Sequence, residues 1–373
     1  MRGGERVLEI FCELFPDADL YTLIHIPGSV SKTIEGRNIK TSFIQNLPMS
    51  KKRYRSMLPL FPMAIEGFNL NGYDLIISTS HCVAKGIIPG PNTLHISYIF
   101  TPMRYVWDRY HDYFGATGGL KGKIVSIFAH YLRLWDSTSS NRVDHFVAIS
   151  RHVSNRVKKY YRREAEVIYP PVDFSRFSSS TDCTGNSPIK DEKDYYLIVS
   201  AFAPYKRIDL AIEAFRNLGL KLKIIGSGQD EKKLRAMAST NVEFLGWKTD
   251  LEIADYYKNC KALIFPGEED FGIVPLEAMA SGRPVIAYGR GGALETVKPL
   301  HESGEGQATG VFFFEPDSLS LAEAVRTFEK EYKAFDPENI KAHARTFDKP
   351  IFKNNIREYI LTQYKKFREE KTC

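Results

Sequence analysis

FPGEEDFGIVPLEAMASGRPVIAYGRGGALETV, residues 265–297, is the stretch that decides the fold. An apolar strand is expected over 262–265 and another over 284–287, with a helix between them over 274–280. Glu269 and Glu277 stand eight residues apart around Phe271-Gly272-Ile273, and Pro275 sits where a helix begins. A strand–loop–helix corner of this kind presents unpaired backbone N–H groups that bind an anion. Carboxylates beside it can accept hydrogen bonds from hydroxyls, and a glycine lets backbone approach a phosphate closely. Together these groups fit a sugar nucleotide. The blander reading is an acidic turn at Glu268-Glu269-Asp270, with Glu277 merely complementing a helix dipole.

Outward from this corner the same alternation continues. Strands are expected over 195–200, 221–225, 242–244 and 311–314, and helices over 208–218, 230–238, 251–259 and 319–330. Toward the N-terminus, strands are expected over 74–78, 95–99 and 145–149, and a helix capped by Ser150 over 151–161. This predicts an α/β chain with two doubly wound, Rossmann-like domains facing a cleft. The boundaries expected are 1–170 for the first domain, 171–193 for a linker and 194–349 for the second domain. A basic C-terminal helix over 350–373 is expected to pack back on the first domain.

Within SAFAPYKRIDLAIEAF, residues 200–215, Lys206 and Arg207 lead into a helix. Cations in a first helical turn oppose the macrodipole, and such a local violation is expected where a site requires it. Two cations at the edge of a sheet can hold a diphosphate; the alternative is a solvated charged pair. Gly226-Ser227-Gly228 lacks the third glycine of a dinucleotide fingerprint, which weighs against a nicotinamide-dependent oxidoreductase.

Composition bounds the rest. The 373 residues suffice for two domains, and 43% are hydrophobic and 26% charged, as in globular proteins generally. The five cysteines are scattered with no CxxC pair, which argues against a zinc site or a disulfide framework and suits a reducing compartment. No apolar run is long enough for a transmembrane helix, and no signal peptide opens the sequence. The net charge of +6 permits an acidic partner without pointing to nucleic acid. Lys51-Lys52-Arg53-Tyr54-Arg55, followed by an apolar, proline-bearing run to Met63, suits a loop-and-turn contact with an anionic membrane surface. The run RVKKYYRR, 156–163, is a second candidate for that contact.

The segment FPGEEDFGIVPLEAMASGRPVIA resembles the E-x7-E motif of the family 4 retaining glycosyltransferases of GT-B fold. GGERVLEIF, SHCVAKG, TPMRYVWD, VIYPPVD, APYKRIDLAIEAF and NVEFLGW extend the resemblance over nearly the whole chain. It is closest to mannosyltransferase-like members of bacterial surface-polysaccharide pathways. The resemblance implies a hexosyltransferase that uses a GDP- or UDP-linked sugar, mannose being the sugar implied, and a saccharide or lipid-linked acceptor. No DxD pair with an accompanying His cluster appears, so neither metal nor cofactor is expected; the cysteine pattern and the basic runs lead to an expected cytoplasmic location, peripheral on the inner membrane face.

Residue by residue, the resemblance makes Glu277 the holder of the ribose hydroxyls and turns Glu269 toward the donor sugar. The Phe271, Gly272 and Ile273 backbone meets phosphate and sugar, while Lys206 and Arg207 grip the diphosphate. Gly3-Gly4 resembles the glycine loop that closes over the phosphates; His81, Arg104 and Trp107 fall on the acceptor side. Three departures stand out. Relatives carry a strand ahead of the glycine turn, where only Met1-Arg2 precede Gly3, so the first sheet is expected to lack its first strand. Phe100 replaces a histidine that helps place the donor sugar, and Ala201 replaces an arginine of the diphosphate site. These departures keep open an alternative, a catalytically impaired relative that serves as a nucleotide-binding scaffold.

Overall fold

The computed structural model describes residues 3–111, 119–178, 194–300 and 306–372. Most of the expected linker, 179–193, lies outside them. The chain divides into two compact units, Met1–Pro171 with Phe352–Cys373, and Val172–Ile351.

The second unit is one six-stranded sheet, all parallel. Its strands are β7 (Tyr195–Val199), β8 (Lys221–Ile225), β9 (Val242–Gly246), β10 (Leu263–Phe265), β11 (Val285–Tyr288) and β12 (Gly310–Phe313). They lie in the order β12-β11-β10-β7-β8-β9. The chain therefore winds outward one way from β7 and the other way from β10, the doubly wound pattern. Register is set by apolar rows, with Leu263 beside both Leu197 and Val285. The central strands are buried on both faces, which is why β10 and β11 read as unbroken apolar runs. The Ile208–Leu218 helix buries Ile208, Leu210, Ala211, Ile212, Ala214 and Phe215 on one stripe. The Asp250–Asn259 helix is fixed by a capping box, Thr249 accepting from Glu252 N and the Glu252 carboxylate accepting from Thr249 N.

Strands of the first unit fall into two sheets. One is the parallel pair β1 (Leu20–Thr22) and β2 (Ile39–Thr41); the other is β3 (Leu75–Ser80), β4 (Leu94–Ile99), β5 (His145–Ala148) and β6 (Ala165–Val167), in that order. β4 is buried along its length, whereas the edge strand β3 is only half buried despite its apolar sequence. The Arg151–Tyr161 helix starts where expected, with Ser150 Oγ accepting from Val153 N at 3.0 Å. The C-terminal helix, Lys349–Thr372, lays Phe352, Ile356 and Ile360 into the first unit's core. Phe352 meets the rings of Tyr98 and Phe11 at 5.6 and 6.3 Å, and Lys353 pairs with Glu13 at 3.2 Å.

Candidate functional site

Where a doubly wound sheet reverses its winding, the loops leaving neighbouring strands part and open a crevice at the C-terminal edge. In the second unit that point lies between β7 and β10, so the loop 200–207 and the loop 266–272 flank it. The Lys206 ammonium donates to Glu269 Oε1 across it. Those side chains are 14% and 21% exposed, so the pair is half sheltered yet open to a ligand. Gly267 makes the approach feasible: a Cβ there would stand 2.7 Å from the Tyr205 carbonyl oxygen and 2.8 Å from Lys206 Cα.

Neither cation sits in the first helical turn, contrary to the sequence reading. Lys206 closes a short 3-10 turn, Pro204–Lys206, and Arg207 precedes the Ile208–Leu218 helix in the left-handed region, at φ 50° and ψ 38°. A non-glycine residue there is strained by roughly 1–3 kcal/mol, a cost that recurs at functional corners. The Arg207 guanidinium stands 3.4 Å from Asp209 Oδ1 and 3.4 Å from the Pro316 carbonyl. Lys206 and Glu269, given different parts of the donor by the resemblance, hold each other in this structure. The reason is spatial: 63 residues apart in sequence, they are brought together only by the adjacency of β7 and β10.

Beyond Glu269 the corner is tightly pinned. Gly292 N donates to the Glu269 carbonyl at 2.8 Å, and the Phe271 ring is buried 6.0 Å from the Phe347 ring. Gly272, at φ 86°, caps the Ile273–Ala280 helix, so the Ile273 and Val274 amides begin it without intrahelical acceptors. Pro275 in the first turn costs no hydrogen bond. Glu277 lies past the first turn, which removes the dipole-complement explanation for it. It is 8% exposed, and its Oε2 accepts from the Tyr257 hydroxyl at 3.2 Å. The structure thus brings Lys206, Glu269 and the Phe271–Ile273 turn together, with Glu277 held further along the same helix.

Candidates in the first unit fare differently. Gly3 and Gly4 open the Gly3–Leu14 helix and do not form a loop. A Cβ on Gly4 would lie 3.3 Å from the Phe100 ring, so Phe100 is packed on that first turn. His81 is exposed just past β3, and Arg104 lies half-buried on the 100–110 segment. Trp107 is a packing residue: its indole stacks on Tyr160 at 4.7 Å and donates to Asp136 Oδ2 at 2.8 Å.

Asp136 and Lys85 were not singled out from the sequence, although Lys85 lies in SHCVAKG. Both are buried, at 3.2 Å from each other, and Lys85 Nζ also donates to the Asp136 carbonyl and Ser139 Oγ at 2.6 and 2.8 Å. Burial pushes the Lys85 ammonium below its usual pKa, and the charge of Asp136 opposes that shift. The Tyr161 hydroxyl donates to Asp136 Oδ2 at 2.9 Å. Arg156, read as part of a basic surface run, is instead buried; it donates to Thr101 Oγ1 at 2.8 Å and to Asp108. Its side chain anchors the segment carrying Arg104 and Trp107.

Among the described residues no group of three or more His, Cys, Asp or Glu is placed to hold a metal ion, and no helix is long and apolar enough to cross a membrane.

A six-stranded doubly wound sheet with a charged corner at its switch point is an α/β unit of the kind that takes its ligands at that crevice. Residues 182–347 match the family Glycosyl transferases group 1. The alpha-1,3/1,6-mannosyltransferase ALG2 of Saccharomyces cerevisiae is 26% identical over 336 residues, 78% of this chain and 64% of that relative. The chain thus spans less than two thirds of the yeast relative, and about half the length of other curated relatives it matches. Sucrose-phosphate synthase from Thermosynechococcus elongatus superposes with a TM-score of 0.73 at 16% identity, over 96% of this chain and 92% of that one. Anabaena Alr3699/HepE in complex with UDP-glucose gives 0.68 at 18% identity, over 97% and 96%. The fold is GT-B, two Rossmann-like α/β units.

Proposed function

We propose that the chain is a retaining glycosyltransferase that moves a hexose, mannose on the likeness to ALG2, from a GDP- or UDP-linked donor to a saccharide or lipid-linked acceptor. The observation that carries this is the meeting of Lys206 and Glu269 at the switch point, inside the stretch that matches Glycosyl transferases group 1. UDP-glucose in the HepE complex supports a nucleotide-sugar donor.

The chemistry follows from charge. As the anomeric C–O bond breaks, negative charge builds on the departing diphosphate, and preorganised donors must meet it. Lys206, Arg207 and the amides at the start of the Ile273–Ala280 helix supply them, so neither metal nor cofactor is called for. Glu269 keeps the Lys206 ammonium aimed at the crevice and stabilises positive charge on the sugar. Glu277, oriented by Tyr257, accepts from the ribose hydroxyls. The acceptor hydroxyl attacks on the face the leaving group vacates, and a diphosphate oxygen takes its proton. Such a role in surface-polysaccharide synthesis places the chain in the cytoplasm, peripheral on the inner membrane face.

Transfer and hydrolysis assays with GDP-mannose and UDP-hexoses test the proposal; donor turnover that Lys206→Ala lowers supports it, and absence of turnover with every donor argues against it. Phe100 packed on Gly4 favours a second reading, a scaffold that binds the nucleotide without turning it over. Nucleotide binding with no turnover, restored in Phe100→His, separates the two.

A further inference from the structure

The Gly119–Ser139 helix carries an apolar stripe that nothing among the described residues covers. Leu120, Ile124, Ile127, Phe128, Tyr131 and Leu134 recur at helical spacing, and Leu120, Ile127 and Leu134 are 75%, 68% and 57% exposed. The opposite face, through Ala129, Leu132 and Asp136, is the one buried in the first unit. Single exposed apolar residues need no explanation, but a contiguous row over four turns marks an interaction surface.

The adjoining surface has the same character. Turns of helix over 50–66 pack Phe61, Ala64 and Ile65 into the core cluster that also holds Ala129 and Leu132, and Trp135 Nε1 donates to Glu66 at 2.8 Å. Their outward residues include Leu60 and Met63, exposed like the stripe, with Lys51, Arg53 and Arg55 beside them. Lys121 and Lys123 flank the stripe itself and are exposed. No Asp or Glu occurs between residues 49 and 65 or between 119 and 135.

We infer that this face is a membrane-docking surface, the Gly119–Ser139 helix lying in the plane of the bilayer interface with its stripe among acyl chains and its lysines on anionic headgroups. Charge selects the occupant. A second copy of the chain would set like charges against like, whereas anionic lipid neutralises them while burying the stripe. Only the purpose of such docking, access to a lipid-linked acceptor, rests on the proposed function; the surface does not.

Flotation of the full chain with vesicles of phosphatidylcholine, alone or mixed with phosphatidylglycerol, tests this without donor or acceptor. The chain is expected to float with the mixed vesicles and to be released by salt. Ile127→Asp with Leu134→Asp lowers the bound fraction about tenfold or more, because two apolar anchors are lost. Lys121→Glu with Lys123→Glu lowers it about tenfold on the mixed vesicles only. Circular dichroism and titration with UDP and GDP, expected to be unchanged, show that the variants remain folded. Equal binding to both vesicle types, no binding, or binding unaffected by either pair of substitutions overturns the inference. So does a dimer in sedimentation that Ile127→Asp with Leu134→Asp dissociates, which assigns the face to self-association. Failure here with intact nucleotide binding leaves the transferase reading standing.

Discussion

Two lysine–carboxylate pairs, one in each unit, differ in what surrounds them. Lys85 and Asp136 are 1% and 0% exposed, and Ser139, Trp107 and Tyr161 surround them with hydrogen bonds. Lys206 and Glu269 are 14% and 21% exposed, at the rim of a sheet where two loops part. The first pair is sealed from solvent within its own unit, whereas the second reaches the surface. A charged pair is therefore read as structural or functional from its neighbours and exposure, which residue identity alone does not reveal.

The contrast breaks most visibly at Asp136. Asp136→Ala leaves the Lys85 ammonium buried without its counter-charge, and about 3–5 kcal/mol of stability should be lost in urea unfolding. Replacing both, as Lys85→Met with Asp136→Leu, should restore much of it; a single variant as stable as the parent would show that the pair is not structural.

A second buried group of the first unit responds to pH. Burial holds His95 down at about 4, with its ring against Ser78 Oγ and the Arg142 carbonyl. The unfolded chain takes up that proton near pH 6.5 and the folded chain near 4, so stability falls as the pH drops through this window. The loss sums to about 3 kcal/mol by pH 4. His95→Gln should flatten this acid limb in unfolding measured from pH 7 to 4, and an unchanged slope would assign the limb to other groups.

Smaller effects on stability, and larger ones on ligand, are expected in the second unit. Lys206→Ala should cost less than about 1 kcal/mol of stability, the pair being partly solvated. Donor turnover should fall about ten- to a hundredfold, one charge-assisted hydrogen bond to the leaving diphosphate being lost. Glu277→Ala should weaken nucleotide affinity by about 1–3 kcal/mol, and Tyr257→Phe, which removes one hydrogen bond to that carboxylate, by about 1 kcal/mol or less.

Legibility in the sequence followed the same division. Helix Ile208–Leu218 and strand Lys221–Ile225 match the expected spans, because a sheet buried on both faces writes apolar runs and amphipathic stripes plainly. The strands Leu20–Thr22 and Ile39–Thr41 escaped notice, three residues being too few to show a period. So did the Gly119–Ser139 helix, whose apolar residues spread over both a buried and an exposed face and blur the stripe. Gly3-Gly4 resembled a family's glycine loop, yet glycines at a helix start incur little of the entropic penalty they carry in its middle. At the site, Glu269, Lys206 and the glycine corner were legible as residue types. Their mutual contact was not, because it depends on strand order, which no local pattern encodes.

Calorimetric titration of UDP and GDP into the parent and into Lys206→Ala with Arg207→Ala shows whether the cations at the switch point hold a diphosphate. The parent is expected to bind at least one of the two nucleotides. The double variant should bind it about a hundredfold or more weakly while unfolding at nearly the same urea concentration. Equal affinity in parent and variant would contradict the claim, because the cations at the switch point would then not be holding the diphosphate.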